Sequence, residues 1–465
     1  MNQKPNILFI MTDDHAAHAM SCYDSRINKT PNMDRIAEEG MRFDHCYVTN
    51  SICTPSRAAI LTGTYNHVNR VTTLSTHIDN RLPNVAKHLR QGGYQTAIFG
   101  KWHLGQGPKH EPTGFDSWAV LPGQGLYHDP EFIYPDGKRK ESGYATDIIT
   151  DKCLHWLDKR NAEQPFFLMC HHKAPHRRWE PDEKHARMYE DEDIPVPETF
   201  DDDYGTRAKA AKVSKNTMFD LIDADLKVPV PDGLSREEEK QWRYQRYIKD
   251  YLRCIASVDD NIGRLLDYID RDAELKNNTV IIYTSDQGFF LGDHGWFDKR
   301  FMYEESLKMP FIVRYPAMIK ENSICDDIIT NVDFAQTFLD LAGLPEPNYM
   351  QGRSFVPLLK GETPADWPEA AYHRYWMNQD ASHNIYAHYG IRTKRYKLIY
   401  YYNRDCGEEG GNPGTDEPEW ELFDCHKDPL EIENRYGDPA YGDVVKELTR
   451  KLEEEMARIG DTPMH

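Results

Sequence analysis

The stretch Asn6-Ile7-Leu8-Phe9-Ile10-Met11-Thr12-Asp13-Asp14 decides the fold. The run from Asn6 to Met11 is short and apolar throughout, as in a parallel strand buried on both faces. Three further runs share that character: Gln95 to Phe99, Pro165 to Cys170 and Thr279 to Ser285. Helical marks lie between them. The clearest helix is predicted from Thr30 as N-cap through Pro31 in the first turn, with Met33, Ile36 and Ala37 on one face, to Gly40 as its stop. Strands alternating with helices predict an α/β fold, a large and mostly parallel sheet with helices on both faces.

Polar residues at the carboxyl end of each strand carry the chemistry. Asp13-Asp14 come after the first, Lys101 and His103 after the second, His171 to His176 after the third, and Asp286-Gln287 after the fourth. Ligands of open α/β sheets bind beyond the carboxyl ends of the strands, so these distant residues are expected to converge on one site.

With 465 residues the chain can bury a large core, and at roughly 150 residues per domain it has room for two or three units. We expect one large domain over residues 1–345, with a charged insertion near 182–245, and a smaller α+β subdomain over 346–465. The insertion holds the acidic runs Glu190 to Asp193 and Asp201 to Asp203, followed by helical spacing from Trp242 to Leu252. After Pro345 come two Tyr-rich alternating segments, Tyr389 to Thr393 and Tyr396 to Tyr402. A helix from Asp443 to Ile459 comes next, with Val445, Leu448, Leu452, Met456 and Ile459 on one side.

The formal net charge of -20 argues against nucleic acid as a partner, because phosphate backbones need a basic face. An anionic small molecule would have to be met by Lys, Arg and His gathered in one pocket. The first apolar run is far short of the about 20 residues a membrane span needs, so no membrane association is expected. The start, Met1-Asn2-Gln3-Lys4-Pro5, has no apolar segment and cleavage site of a secretory signal; as written the chain is expected in the cytoplasm, or in the periplasm or outside the cell where a signal has been removed. Nine Cys, an odd number without short paired spacings, suggest neither a disulfide framework nor a zinc site.

One of those Cys sits in Ser51-Ile52-Cys53-Thr54-Pro55-Ser56-Arg57-Ala58-Ala59-Ile60-Leu61-Thr62-Gly63. This run, with Cys-x-Pro-x-Arg at its centre, resembles the signature of the type I, formylglycine-dependent sulfatases at every defined position. A second segment, Gly93 to His103, resembles the Gly-Lys-x-His segment of that family, with the bulkier Phe99 as a departure inside the strand. Glu421-Leu422-Phe423-Asp424, with Asp428-Pro429 and Asn434, is similar to its closing segment.

The resemblance implies an alkaline-phosphatase-like fold and a set of roles. Cys53 would be oxidised to formylglycine by a formylglycine-generating or sulfatase-maturating enzyme, and its hydrated aldehyde would attack sulfur. Asp13, Asp14, Asp286, Gln287 and an oxygen of modified Cys53 would hold Ca2+, with Mg2+ as the alternative; the family more often has Asn or His where Gln287 stands, yet Gln keeps a carbonyl for a hard cation. Arg57, Lys101 and Lys299 would offset charge on the sulfuryl oxygens. His176 or Lys299 would protonate the departing alcohol, with His171 and His172 as alternatives to His176, and His103 would take a proton as sulfate leaves. His294 is read as substrate-binding, with capping of its own loop as the other reading.

Within the family, the segments around Leu291 to Gly295 and Tyr389 to Thr393 look most like bacterial enzymes acting on sulfated carbohydrates, glycosaminoglycan fragments among them. His373, Arg374 and His388 are further candidates for holding a sugar, and some of the 27 Tyr and 9 Trp for stacking on it. The expected activity is therefore hydrolysis of a sulfated saccharide. A formylglycine-dependent phosphonate monoester or phosphodiester hydrolase is the rival enzyme, and a metal-dependent anion-binding module the rival without catalysis.

Overall fold

The computed structural model describes residues 4–25 and 27–465. Residues 1–3, at the start of the chain where a secretory signal would stand, lie outside the described residues. Ten strands form one mixed sheet. From edge to edge they run Ser323–Cys325, Met41–Phe43, Phe311–Arg314, Thr279–Ser285, Asn6–Thr12, Phe166–His171, Gln95–Lys101, Ser117–Leu121, Glu131–Tyr134 and Gly137–Lys140. The five from Thr279–Ser285 to Ser117–Leu121 are parallel; antiparallel pairings flank them.

Alternation along the central strand builds two cores. Ile7, Phe9 and Met11 face helices Cys53–Thr62, Val85–Gln91 and Phe334–Leu341, whereas Leu8 and Ile10 face Pro31–Glu38, Ala145–Lys159 and Arg236–Asp270. Each face is covered by helices, as a parallel sheet requires. The four predicted strands are found, extended at their carboxyl ends into Thr12, Lys101 and His171 in the first three. The predicted helix after Thr30 spans Pro31–Glu38, although the Thr30 hydroxyl bonds Ser21 rather than capping it.

The charged segment is less of a solvated face than its composition implies. Glu190 to Asp193 are exposed, but the side chain of Asp202 is buried against Arg207 and His294, and the helical spacing near Trp242 belongs to the 35-residue helix Arg236–Asp270. Ser235 and Glu238 start that helix with a reciprocal capping box. No helix among the described residues is long and apolar enough to cross a membrane.

Towards the C-terminus, Ala370–Tyr375, His388–Thr393, Tyr396–Tyr401 and Glu419–Asp424 form a four-stranded antiparallel sheet. Helix Gly442–Ile459 covers it with Leu448, Leu452, Met456 and Ile459. All nine cysteines are free thiols.

Candidate active site

Strand register brings the predicted residues together. Thr12 pairs with Ser285, and His171 pairs with both Met11 and Gly100, so Asp13, Asp286, His172 and Lys101 leave the sheet at one end. Gly100 makes the turn into Lys101 feasible: its φ is +107°, and a Cβ there would lie 1.9 Å from the His171 carbonyl oxygen.

Oxygens of Asp13, Asp14 and Asp286 all lie within 4.8 Å of one another, and all three residues are buried. Three carboxylates this close repel strongly unless cations intervene. The chain supplies three. The Lys101 ammonium donates to Asp13 and to Gln124, Lys299 Nζ donates to Asp14 Oδ1 and Oδ2 at 2.5 and 2.7 Å, and Arg57 Nε donates to Asp286 Oδ2 at 2.9 Å. Burial still pushes the Asp14 carboxyl up to about 6, with Lys299 opposing and Asp286 and Asp298 adding to it. Burial also holds the Lys101 ammonium well below its usual range, helped by Lys173 and Lys299.

Two buried acceptors are left without donors: Asp13 Oδ1 and Gln287 Oε1. Gln287 spends its amide nitrogen on Asp14, which leaves the carbonyl oxygen available. Three carboxylates and an amide oxygen are the donor set of a hard divalent cation, so the residues fit one. Gln287 is thus no obstacle to the predicted site.

Cys53 opens helix Cys53–Thr62 and is 1% exposed. Burial pushes its thiol up to about 12, with Lys299 opposing and Asp286 and Asp14 adding. An unmodified Cys53 is therefore protonated and a weak nucleophile at neutral pH. One turn on, Arg57 uses Nη1 to donate to the Lys101 carbonyl at 2.9 Å, so a single guanidinium ties the helix to two strand ends while Nη2 stays unbonded.

Of three candidate histidines after the third strand, His176 reaches the cluster, with Nε2 at 3.8 Å from Asp14 Oδ2. Its Nδ1 donates to the Arg177 carbonyl at 2.6 Å, which fixes the ring. His171 instead contacts the Lys101 carbonyl, and His172 lies 3.5 Å from the Cys170 sulfur. His103 Nδ1 is 3.2 Å from Thr54 Oγ1, and burial with Lys101, Arg57 and Lys299 keeps the ring neutral. Asp14, His103, Asp298 and Arg300 all have left-handed backbone, with φ of +71°, +55°, +73° and +89°. Such conformations cost of order 1–3 kcal/mol each and mark places where the surroundings dictate a side chain's aim.

The sulfatase family model matches residues 5–344. The chain belongs to the sulfatase family. A second model, described as the C-terminal part of N-sulphoglucosamine sulphohydrolase, matches residues 292–458. An N-acetylglucosamine-6-O-sulfatase of Bacteroides thetaiotaomicron is 44% identical over 99% of this chain and 87% of its own length. A solved structure described as a complex with its substrate D-glucosamine-2-N,6-O-disulfate is 43% identical, with a TM-score of 0.90 over 98% of both chains. The phosphonate monoester hydrolase of Agrobacterium radiobacter shares the fold, with a TM-score of 0.76 at 22% identity over 98% of this chain and 96% of the other. The protein is thus an enzyme, a sulfuric ester hydrolase of alkaline-phosphatase-like fold, in a family that uses formylglycine and a divalent metal.

In this sulfatase a cleft of about 590 Å³ opens beside His176, lined among others by Gln124, Tyr127, Lys173, Arg178, Lys215 and His383. His294 does not line it. That residue is 1% exposed, with Nδ1 2.9 Å from Asp202 Oδ2 and its backbone N–H on Thr199, contacts that suit the loop-capping reading. His373 and His388 are both fully buried, bonded to the Val48 and Tyr386 carbonyls, and do not line this cleft. Arg374 is committed to Asp461 and lies 3.6 Å over the Trp376 ring.

Sequence reasoning missed Asp298, Arg300 and Gln124. Asp298 Oδ1 accepts from the Lys299 backbone N–H at 2.8 Å and from Arg300 Nε at 3.2 Å, and lysine and arginine neighbours hold its carboxyl far below the usual range. Its neighbour Lys299 was the available signal; Gln124, in a loop between strands, carried none.

Proposed function

We propose that this sulfatase releases inorganic sulfate from a sulfated carbohydrate, using formylglycine formed from Cys53 and Ca2+ held by Asp13, Asp14, Asp286 and Gln287. The unsatisfied Asp13 Oδ1 and Gln287 Oε1 beside Cys53 carry this reading. When present, the formylglycine supplies an oxygen nucleophile and the cation a counter-charge for the sulfuryl group.

The chain's own residues then bind and move protons. Arg57 Nη2, Lys101 and Lys299 offer positive charge to the sulfuryl oxygens in a site without bulk water, where each contact counts for more. His103, with Nδ1 engaged by Thr54, presents Nε2 as proton acceptor. The departing sugar oxygen lies on the cleft side and takes its proton from Lys299 Nζ, or from His176 Nε2 when that ring carries a second proton beside Asp14. In this reading residues 1–345 hold the chemistry and residues 346–465 buttress it. A carbohydrate substrate is supported by the 44% identical N-acetylglucosamine-6-O-sulfatase and by the polar cleft. Because Cys53 is enclosed by the finished fold, a maturating enzyme has to reach residues 51–57 before the fold closes.

Sulfate release from a panel of defined sulfated saccharides, beside an aryl sulfate and a phosphate diester, tests the proposal. Turnover of at least one saccharide above both reference esters is expected; a marked preference for the diester would overturn it.

A further inference from the structure

The cleft beside His176 is lined by more basic side chains than acidic ones, in a protein whose net charge is -20. Lys173 is 4% exposed and no carboxylate lies within ion-pairing distance of it among the described residues. Its ammonium has only the Arg177 carbonyl at 3.3 Å and the Tyr127 ring at 4.6 Å. A buried ammonium without a counter-charge is costly, so it is kept where a ligand supplies the anion. Arg178 and Lys215, from two separate segments, line the same cleft, are exposed, and have no side-chain partner among the described residues.

The remaining charges of the cleft are accounted for. Arg177 is tied to Asp225, while Glu180 and Asp220, the latter accepting from Thr217, are the two acids of the lining among the described residues set against Lys173, Arg178 and Lys215. Leu126 and Ile222, 62% and 51% exposed, form an apolar part of the lining, suited to the C–H face of a sugar ring.

We infer that Lys173, Arg178 and Lys215 form a second anion subsite, which receives another sulfate or a carboxylate of the same saccharide while the scissile sulfate ester lies at Cys53. The inference rests on the carbohydrate reading and deepens it: the preferred substrate carries at least two anionic groups. Lys173 grips the group from within the wall, and the exposed Arg178 and Lys215 add positive charge from the same lining.

The test compares kcat/KM for D-glucosamine-2-N,6-O-disulfate, N-acetylglucosamine-6-O-sulfate and a disaccharide bearing one sulfate and one uronate carboxylate, with an aryl sulfate as reference. Wild-type enzyme is expected to favour a doubly anionic sugar by about tenfold or more, the equivalent of one charge-assisted contact. In Arg178→Ala/Lys215→Ala, at exposed positions where folding is not at risk, that ratio should collapse at least about tenfold, mainly through KM. Lys173→Met should lower it further, and its melting curve separates misfolding from lost recognition. The two doubly anionic substrates distinguish sulfate from carboxylate. An equal loss on singly and doubly anionic sugars, or none, would overturn the subsite while leaving the carbohydrate reading intact. Hydrolysis of the aryl sulfate with no sugar cleaved would overturn both.

Discussion

Lys299 and Asp14 form a two-point contact at the centre of the site, with Nζ donating at 2.5 and 2.7 Å to the two carboxylate oxygens. Arg57 donates to one oxygen of Asp286, and Lys101 to one of Asp13. Each acid of the cluster is therefore met by at least one basic side chain from another part of the sequence. A divalent cation would add charge where Asp13 Oδ1 and Gln287 Oε1 still lack partners.

Cation binding should stabilise the fold. Ca2+ at about a hundred times its Kd is expected to add about 2.7 kcal/mol, seen as a rise in apparent melting temperature that EDTA reverses. Asp13→Asn and Asp286→Asn should lose most of that rise. An equal response to Ca2+ in wild type and both variants would place the cation elsewhere.

Arg57 cannot be replaced by a simple charge. Lysine has no fork to bond Asp286 and the Lys101 carbonyl together, so Arg57→Lys should lower kcat roughly 10²- to 10³-fold. Arg57→Ala leaves Asp286 buried without its partner and should cost about 3–5 kcal/mol in chemical denaturation. Wild-type turnover in Arg57→Lys would remove the guanidinium from the mechanism.

The junction between the two sheets should be acid-sensitive. His373 and His388 stack 5.6 Å apart, and burial pulls them down to about 3 and about 4. In the unfolded chain both take a proton near pH 6.5. Below that pH the unfolded state binds more protons, so stability is fully present above about pH 6.5 and is lost as the pH falls towards 4, on the order of 3 kcal/mol for His388. Urea midpoints of His388→Gln should depend less steeply on pH across that window. Parallel pH profiles for variant and wild type would exclude His388 as a source of the slope.

The sequence was most legible where the physics is local. Apolar runs such as Asn6–Thr12 declare buried strands, and the polar residues after them, Asp13 or Lys101, mark the site because a parallel sheet gathers its carboxyl ends. Short flanking strands such as Met41–Phe43 and the exposed Gly137–Lys140 passed unread, since three or four residues carry too little pattern. His294 and His373 were harder to read for a different reason. A histidine at the edge of a motif looks the same in sequence whether it meets a ligand or the Val48 carbonyl, and only tertiary packing decides between them. Lys173 shows the converse: nothing local distinguishes it, and its interest arises from burial without a counter-charge.

In the proposed reaction Cys53 works as formylglycine and not as a thiol. The direct measurement is the mass of the peptide spanning residues 51–57, taken on preparations with graded exposure to a maturating enzyme and set against sulfate release from the same samples. The peptide is expected to lose one sulfur and two hydrogens and gain one oxygen, and sulfate release to rise in proportion to the converted fraction. Full sulfate release from protein whose Cys53 peptide retains the thiol mass would contradict it.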